Sequence, residues 1–454
     1  MTLISLLGIA RSALITHQRA LDVTGHNVAN AMTPGYTRQR LDILPATPLQ
    51  TPLGSIGRGV TDSGVQRLRE TLLDAALRRE SGTLGRSSTL LTFLEQVEGA
   101  INEPSEDGVS AALDSLFNAF GELVDDPASS VHRGLVQQQA RRFVDQLHLL
   151  DSSIVQASRD ARAQMELTVA EVNQLFSRIA GLNQQILTAG GITGSAPDLA
   201  DQRDLMIDRL SELIGVRVLT RDNGTVGVVA GDTLLVDGAS ARTLEVRTVA
   251  GGATGIGVQG GGDVDPRSGA LQGLVELINN ELPGLRSELD ALAAAVVAEL
   301  NAIHRTGYTA TGATNTDFFD PAGVTAQTID LTAAVAASGD AIAAGGTAAA
   351  GDGDVALAIA GLRSAPLAAL GGRSAGEFYI DTVTAFGISV QEAVQSSAVN
   401  EILVSQAQQR RASANGVSVD EEMVWLIAQQ QAFAAAARLV TVANEMVDDI
   451  LRMV

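Results

Sequence analysis

Residues 25–38 read Gly25-His26-Asn27-Val28-Ala29-Asn30-Ala31-Met32-Thr33-Pro34-Gly35-Tyr36-Thr37-Arg38. This order of residue types describes a helix end followed by a tight turn. Asn27 and Asn30 can bond nearby backbone carbonyls as the helix runs out. Pro34-Gly35 presets the two central positions of a type II turn, where Gly supplies the positive φ. Gly25 and Asn30 are the candidate helix stops.

On the N-terminal side of this turn, Leu3, Leu7, Ala10, Leu14, His17, Leu21, Thr24 and Val28 alternate in steps of four and three. At the far end the same alternation runs through Val419, Met423, Leu426, Gln430, Phe433, Ala437, Val440, Asn444, Val447, Leu451 and Val454, with no Gly or Pro after Gly416. A 3.5-residue repeat puts each set on one seam and favours left-handed supercoiling against another helix. Two such stripes at opposite ends predict that the ends pair with each other; the alternative is that each packs on its own domain. Gln430 and Asn444 interrupt the C-terminal seam on one face. Polar seam residues cost stability and can fix register and partner number; Asn444 reads equally well as an exposed residue on a drifting helix. A seam this rich in Ala, Gln and Asn buries little area and is expected to be marginal on its own.

Between the ends, residues 135–180 contain neither Gly nor Pro. One helix there would run about 70 Å at roughly 1.5 Å per residue. Its stripe is Leu147, Leu150, Ile154, Ala157, Ala161, Met165, Thr168, Val172, Leu175, Ile179, Leu182 and Ile186, with a stutter at Ala161 that relaxes the supercoil. Shorter helices are expected near 65–101, 109–124, 199–214, 270–304 and 385–414. Val216 and Val218 alternate with Val226 and Val228 around Asp222-Asn223-Gly224, a hairpin signal. Asp237-Gly238 continues the meander. Residues 250–262 hold seven Gly and read as a loop or linker.

The expected fold is mainly α with a smaller β part, in an elongated multi-domain chain. Residues 1–45 plus 412–454 form a coiled-coil-like terminal helical pair. Residues 46–305 plus 381–411 form a long helical bundle with a β-meander near 216–247. The Ala/Gly-rich residues 306–380 form a small, outer, β-containing insertion.

Composition excludes much chemistry. The 454 residues include no Cys and, among 31 basic residues, no Lys. There is no thiolate, no disulfide, no P-loop lysine and no Schiff base. The net charge of −21 disfavours nucleic acid and anionic lipid as partners. No apolar run is long enough to span a membrane, and the first ten residues make a poor cleaved signal. His17, His26, His132, His148 and His304 lack metal-ligand spacing. Gly255-Ile256-Gly257-Val258-Gln259-Gly260 imitates a dinucleotide motif, but Pro266 precedes any helix. Gly372-Arg373-Ser374-Ala375-Gly376 imitates a nucleophile elbow, but no His follows it; Ser374 reads as a turn residue or helix cap. Asp420-Glu421-Glu422 suits the positive end of the last helix. No cofactor, metal or catalytic residue is expected.

The opening segment resembles the signature of bacterial flagellar rod, hook and hook-associated proteins. Asn27, Ala29, Asn30, Thr33, Pro34, Gly35 and Tyr36 match it, and His26 replaces its first Asn. Gly416 to Glu422, Gln429 to Phe433 and Ala435 to Arg438 look like the terminal helix of the same superfamily. Three interior segments are similar to the hook-associated members of the hook–filament junction: Ile101 to Ser105 with Leu113, Asp114 and Phe117; Asp201 to Leu205 with Leu210 to Val216; and Leu300 to His304 with Gly307 and Tyr308.

The resemblance implies a non-enzymatic building block of the extracellular flagellum. It implies export through the flagellar type III channel without a cleaved signal, and a cytoplasmic export chaperone at the C-terminal helix. Copies would form a ring between the hook protein and a second junction protein, with the terminal helices lining the channel and Leu3 to Val28 and Val419 to Leu451 as the assembly seam. The lack of Cys fits a chain threaded unfolded. Another axial protein, hook or distal rod, is the alternative, against which Asp201 to Val216 argues. A secreted enzyme or adhesin with a helical stalk is the distant one.

Overall fold

The structure is a computed structural model that describes residues 3–51, 54–193 and 196–453. Helix α1 (Leu3–Asn30) is followed by strands β1 (Gln39–Pro45), β2 (Leu49–Thr51), β3 (Gly54–Ile56) and β4 (Val60–Arg67). Helices α2 (Thr71–Ile101), α3 (Val109–Asp125), α4 (Ser130–Thr193) and α5 (Pro197–Ile214) come next. Strands β5 (Val216–Thr220), β6 (Val226–Ala230), β7 (Thr233–Asp237), β8 (Ser240–Ala241), β9 (Leu244–Thr248), β10 (Thr254–Val258) and β11 (Asp263–Val264) follow. One helical rod then holds α6 (Ala270–Glu276), a π-helical turn (Leu277–Glu281) and α7 (Leu282–His304). Beyond it lie β12 (Tyr308–Thr309), α8 (Ala333–Ala337), β13 (Ala343–Gly345) and α9 (Asp354–Gly361). The chain closes with α10 (Ala375–Asn415) and α11 (Val419–Met453).

The two ends pair: α11 lies along α1, and β1 with β4 covers another flank of α1. On α11 the covered row is Glu422, Leu426, Gln429, Phe433, Ala436, Val440, Ala443 and Val447. Leu426, Phe433, Val440 and Val447 occupy the seam expected from the repeat. The alternate positions are displaced by one residue. Gln430, Asn444, Met423, Val419 and Leu451 are exposed, and Ala437 is partly buried beside the contact. At 443 a methyl group enters the contact where the expected row would bury the amide of Asn444 at a desolvation cost, and Ala436 lies on the same row as Ala443. On α1, Ala10, Ala20, Thr24 and Asn27 are buried, while Leu7, Leu14, His17, Leu21 and Val28 are partly buried. The side chain of Leu3, and Val454, lie outside the described residues. His17 Nδ1 sits 2.7 Å from Gln429 Oε1.

The bundle is built on α4, which runs for 64 residues, about 96 Å at roughly 1.5 Å per residue. All twelve stripe positions from Leu147 to Ile186 are buried. Phe143 and Phe176 of α4 and Phe120 of α3 are fully enclosed, each contributing about 1.5–3 kcal/mol of burial. Helix α10 packs along α2, and α2 also meets α5 and α6. It starts ten residues earlier than its pattern suggests, at a capping box in which Ser374 Oγ accepts from Glu377 N and the Glu377 carboxylate accepts from Ser374 N. The elbow-like Ser374 is thus a helix cap.

Two sheets were harder to read. Strands β1 and β4 pair antiparallel with a bulge between Leu41 and Ile43; residues 65–70, expected as helix, belong to β4 and the turn after it. In the meander, Val218 faces Val228 and Thr220 faces Val226 across the expected hairpin. The Gly-rich stretch is not a linker. Thr254–Val258 is a buried central strand between β9 and β11. Ile256 fills the core, and glycine at 257 leaves room for the Arg247 guanidinium, whose Nε would lie 2.0 Å from a Cβ there.

Residues 306–380 contain one short two-stranded sheet, β12 with β13, and two short helices. Their Phe318, Phe319, Ile329, Ile342, Val355 and Ile359 join one continuous core with α3, α4 and α7. His304 pins this segment down. It is fully buried, with Nδ1 2.7 Å from Thr316 O and Nε2 accepting from Ala343 N at 2.8 Å. That pattern requires the neutral imidazole protonated on Nδ1. Burial holds its pKa below the ordinary value of 6.5, against the raising effect of the Thr316 carbonyl. The unfolded chain therefore binds this proton first as pH falls. Stability should fall below pH 6.5 by up to about 1.4 kcal/mol per pH unit, until the folded-state pKa is reached. Urea unfolding between roughly pH 7 and pH 5.5 should show this slope in the parent and a flatter one in His304→Gln; parallel slopes would refute it.

Candidate functional site: the joint between terminal helices and bundle

The chain turns at Asn30. Its Nδ2 donates to His26 O at 3.0 Å, its Oδ1 accepts from Thr33 Oγ1 at 3.2 Å, and Tyr36 N donates to Thr33 O at 3.2 Å. Gly35 takes φ 79°, as the third residue of a type II turn requires, and rests against Leu205. Pro34 and Ala29 are exposed.

Asn27 is the centre. It is 1% exposed, and its amide makes four hydrogen bonds. Its Nδ2 donates to Gln39 O at 2.8 Å and Glu422 Oε2 at 2.9 Å. Its Oδ1 accepts from Tyr36 OH at 2.8 Å and Gln39 N at 3.0 Å. One side chain thus holds the turn, the first strand and the start of α11. Tyr36 packs against the edge of His26 at 5.5 Å. Burial, and then the charges of Asp198, Asp201 and Glu422, raise the Tyr36 phenol above its usual range, so it stays a neutral donor. His26, in place of the usual Asn, reaches Asp198 at 3.3 Å.

Charged residues extend the joint. Glu422 is 2% exposed and takes Arg38 Nε at 2.7 Å, while Arg38 Nη1 reaches Glu421 at 3.0 Å. The acidic first turn of α11 is therefore a docking group as well as a dipole partner. Thr37 N donates to Asp201, whose other oxygen takes Arg67. Asp204 takes Arg67 at 2.7 Å and also Arg69. Arg69 pairs with Asp74, and burial lowers its pKa. Asn415, at the end of α10, accepts from Arg38 N and Glu70 N. Six elements meet here: α1, the β1–β4 ladder, α2, α5, α10 and α11. The motif residues Asn27, Asn30, Thr33, Gly35 and Tyr36 come together; the seam residues beyond Leu426 run away from the joint along α11. Sequence reasoning missed Arg38, Arg67, Arg69, Asp204 and Glu422. Glu422 alone left a local signal: a charge one step from the heptad row.

Asn27→Ala should cost about 2–4 kcal/mol, because Glu422, Tyr36 and Gln39 lose partners inside the fold. Amide hydrogen exchange should show faster exchange in α1 and α11 with α4 unchanged. Equal loss in α4 would mean that the joint is not a separate unit.

No group of residues able to hold a metal ion occurs among the described residues, and no described helix is long and apolar enough to cross a membrane. The arrangement is a mechanical tie between a helix pair and a bundle. Family models match three stretches of the chain. Residues 7–37 match the model for flagella basal body rod protein, and 408–453 match the C-terminal model of the flagellar basal body rod FlgEFG protein. Residues 94–319 match the helical domain of flagellar hook-associated protein FlgK. Flagellar hook-associated protein 1 of Bacillus subtilis is 30% identical, over 98% of this chain and 97% of the relative. The chain belongs to the flagellar hook-associated protein 1 family. The Salmonella typhimurium member is 31% identical over 69% of this chain and 59% of its own length. The solved flagellar hook junction protein FlgK of Burkholderia pseudomallei shares the fold, with TM-score 0.66 and 17% identity over 77% of this chain and all of that chain. Membership makes the chain a structural protein of the flagellum, allied with the other axial proteins.

Proposed function

We propose that this chain joins hook to filament as a non-enzymatic subunit. Copies form a ring on the hook protein and receive a second junction protein. In this reading residues 1–45 and 412–454 line the channel, 46–305 with 381–411 surround them, and 306–380 face outward. The observation that supports it is the outer face of α11. Outside the row that meets α1, Met423, Trp425, Ile427, Leu439, Val442 and Met446 are each 41–53% exposed. Exposed apolar surface of this extent on one helix is what neighbouring subunits would cover. Before assembly the same row needs shielding, which supports an export chaperone on the C-terminal helix during type III export without a cleaved signal.

Deleting the gene tests the reading. Electron microscopy should show hooks without filaments, with filament protein shed into the medium. Absent hooks would assign the chain to the hook or rod instead, and normal filaments would refute both.

A further inference from the structure

Five arginines and four aspartates meet below the joint. Arg67, Arg69, Arg78 and Arg411 share Asp74, Asp201, Asp204 and Asp208. The fifth, Arg203, has no carboxylate partner among the described residues. It is 4% exposed, and its Nη1 donates to two neutral acceptors, Asn183 Oδ1 at 2.9 Å and Gly224 O at 2.8 Å. Its Nε is buried without a partner. Arg78, 8% exposed, also has a buried nitrogen without a hydrogen bond: Nη2, which faces Asp204 only at 3.5 Å.

Both guanidinium groups line one cavity of about 630 Å³, between α2, α5 and the β5–β6 hairpin. Seven of its lining side chains are Arg and two are Asp. In a chain of net charge −21 the lining is rich in Arg; Glu80 and Asp232 pair with Arg79 and Arg267, and Arg203 is left without a carboxylate among the described residues. A buried cation without a counter-ion is costly, and proteins meet that cost by pairing it. Here burial, and then Arg67, Arg69 and Arg78, lower Arg203 to about 10. The fold supplies one carboxylate too few and leaves a space beside the unpaired group.

We propose that this cavity binds a small oxyanion of the phosphate or carboxylate class, held by Arg203 and Arg78, with the exposed Arg217 at its mouth. Guanidinium forks present paired N–H groups that match both kinds of anion. The site is independent of the junction reading, since it needs no second subunit.

Thermal unfolding of the full chain tests it, with inorganic phosphate and citrate in separate arms against chloride at equal ionic strength. A saturable rise in Tm of about 2 °C or more is expected, half-complete below about 10 mM. A response in one arm alone assigns the anion class. Arg203→Met should abolish the response while melting in chloride at the parent's temperature or above, because an uncompensated charge is gone. Arg217→Ala, an exposed change, should fold normally and weaken half-saturation several-fold, so the test stands even if Arg203→Met does not fold. Absence of a rise overturns the proposal. So does a rise linear in concentration and equal in all three proteins, which is general exclusion of these anions from the surface.

Discussion

Asp204→Ala should lower the stability of the whole chain by about 3–5 kcal/mol. Asp204 is 7% exposed, and its carboxylate serves Arg67, Arg69 and, more distantly, Arg78. Its removal leaves Arg67, Arg69 and Arg78 with one carboxylate each, Asp201, Asp74 and Asp208, and removes the group that separated three adjacent cations in a poorly hydrated place. The pair energies alone would not give this figure. It arises because charges already out of water lose the group that compensated them. Asp204 lies on α5, which packs against α2 and α4, so the loss reaches the bundle and is not confined to the ends. Urea unfolding should show a lower midpoint with the same slope. Asp198→Ala is the control: its side chain is 60% exposed, and the change should cost less than about 1 kcal/mol. Equal effects of the two substitutions would show that the Asp204 network is decorative.

Replacing Leu426, Phe433 and Val440 together by Asp should abolish assembly while the bundle remains folded. All three sit in the contact between α1 and α11, and each carboxylate buried there costs several kcal/mol. A seam lined with Ala, Thr and Gln has little to offset that. Helix α11 packs mainly on α1, and Glu421 and Glu422 tie its first turn to Arg38 just before β1. Circular dichroism should lose the signal of the terminal pair, with the main melting transition unchanged. Cells carrying this variant should resemble the deletion strain. Normal filament attachment would refute a role for the seam, and loss of the main transition would mean that the ends support the bundle.

What the sequence revealed was local. The α4 stripe from Leu147 to Ile186 is periodic, and its burial follows from that periodicity. The turn after Asn30 could be read because Pro34 fixes its own φ and Gly35 takes the positive φ of the next position without strain. The seam was legible only in part. A repeat of 3.5 marks two adjacent rows almost equally, and the row used is the one that buries Ala443 and leaves the polar Asn444 in water. Strand β10 was hidden because its glycines look like a loop until Arg247 is seen lying across them. Apart from Arg69 with the nearby Asp74, and the acidic start of α11, the charged joint could not be read along the chain. Arg67 and Asp204 stand 137 residues apart, and Arg38 and Glu422 stand 384 apart. No window along the chain contains both partners.

The bond from Asn27 to Glu422 spans 395 residues. Closing so long a loop carries a large entropic cost that only the finished fold offsets. Without Glu422, Asn27 keeps its bonds to Gln39 and Tyr36, so the turn can form first and wait for the far end of the chain. The last helix is thus the part of the joint that depends on everything between, and a loss of stability anywhere in the bundle is felt at α11 through this single carboxylate.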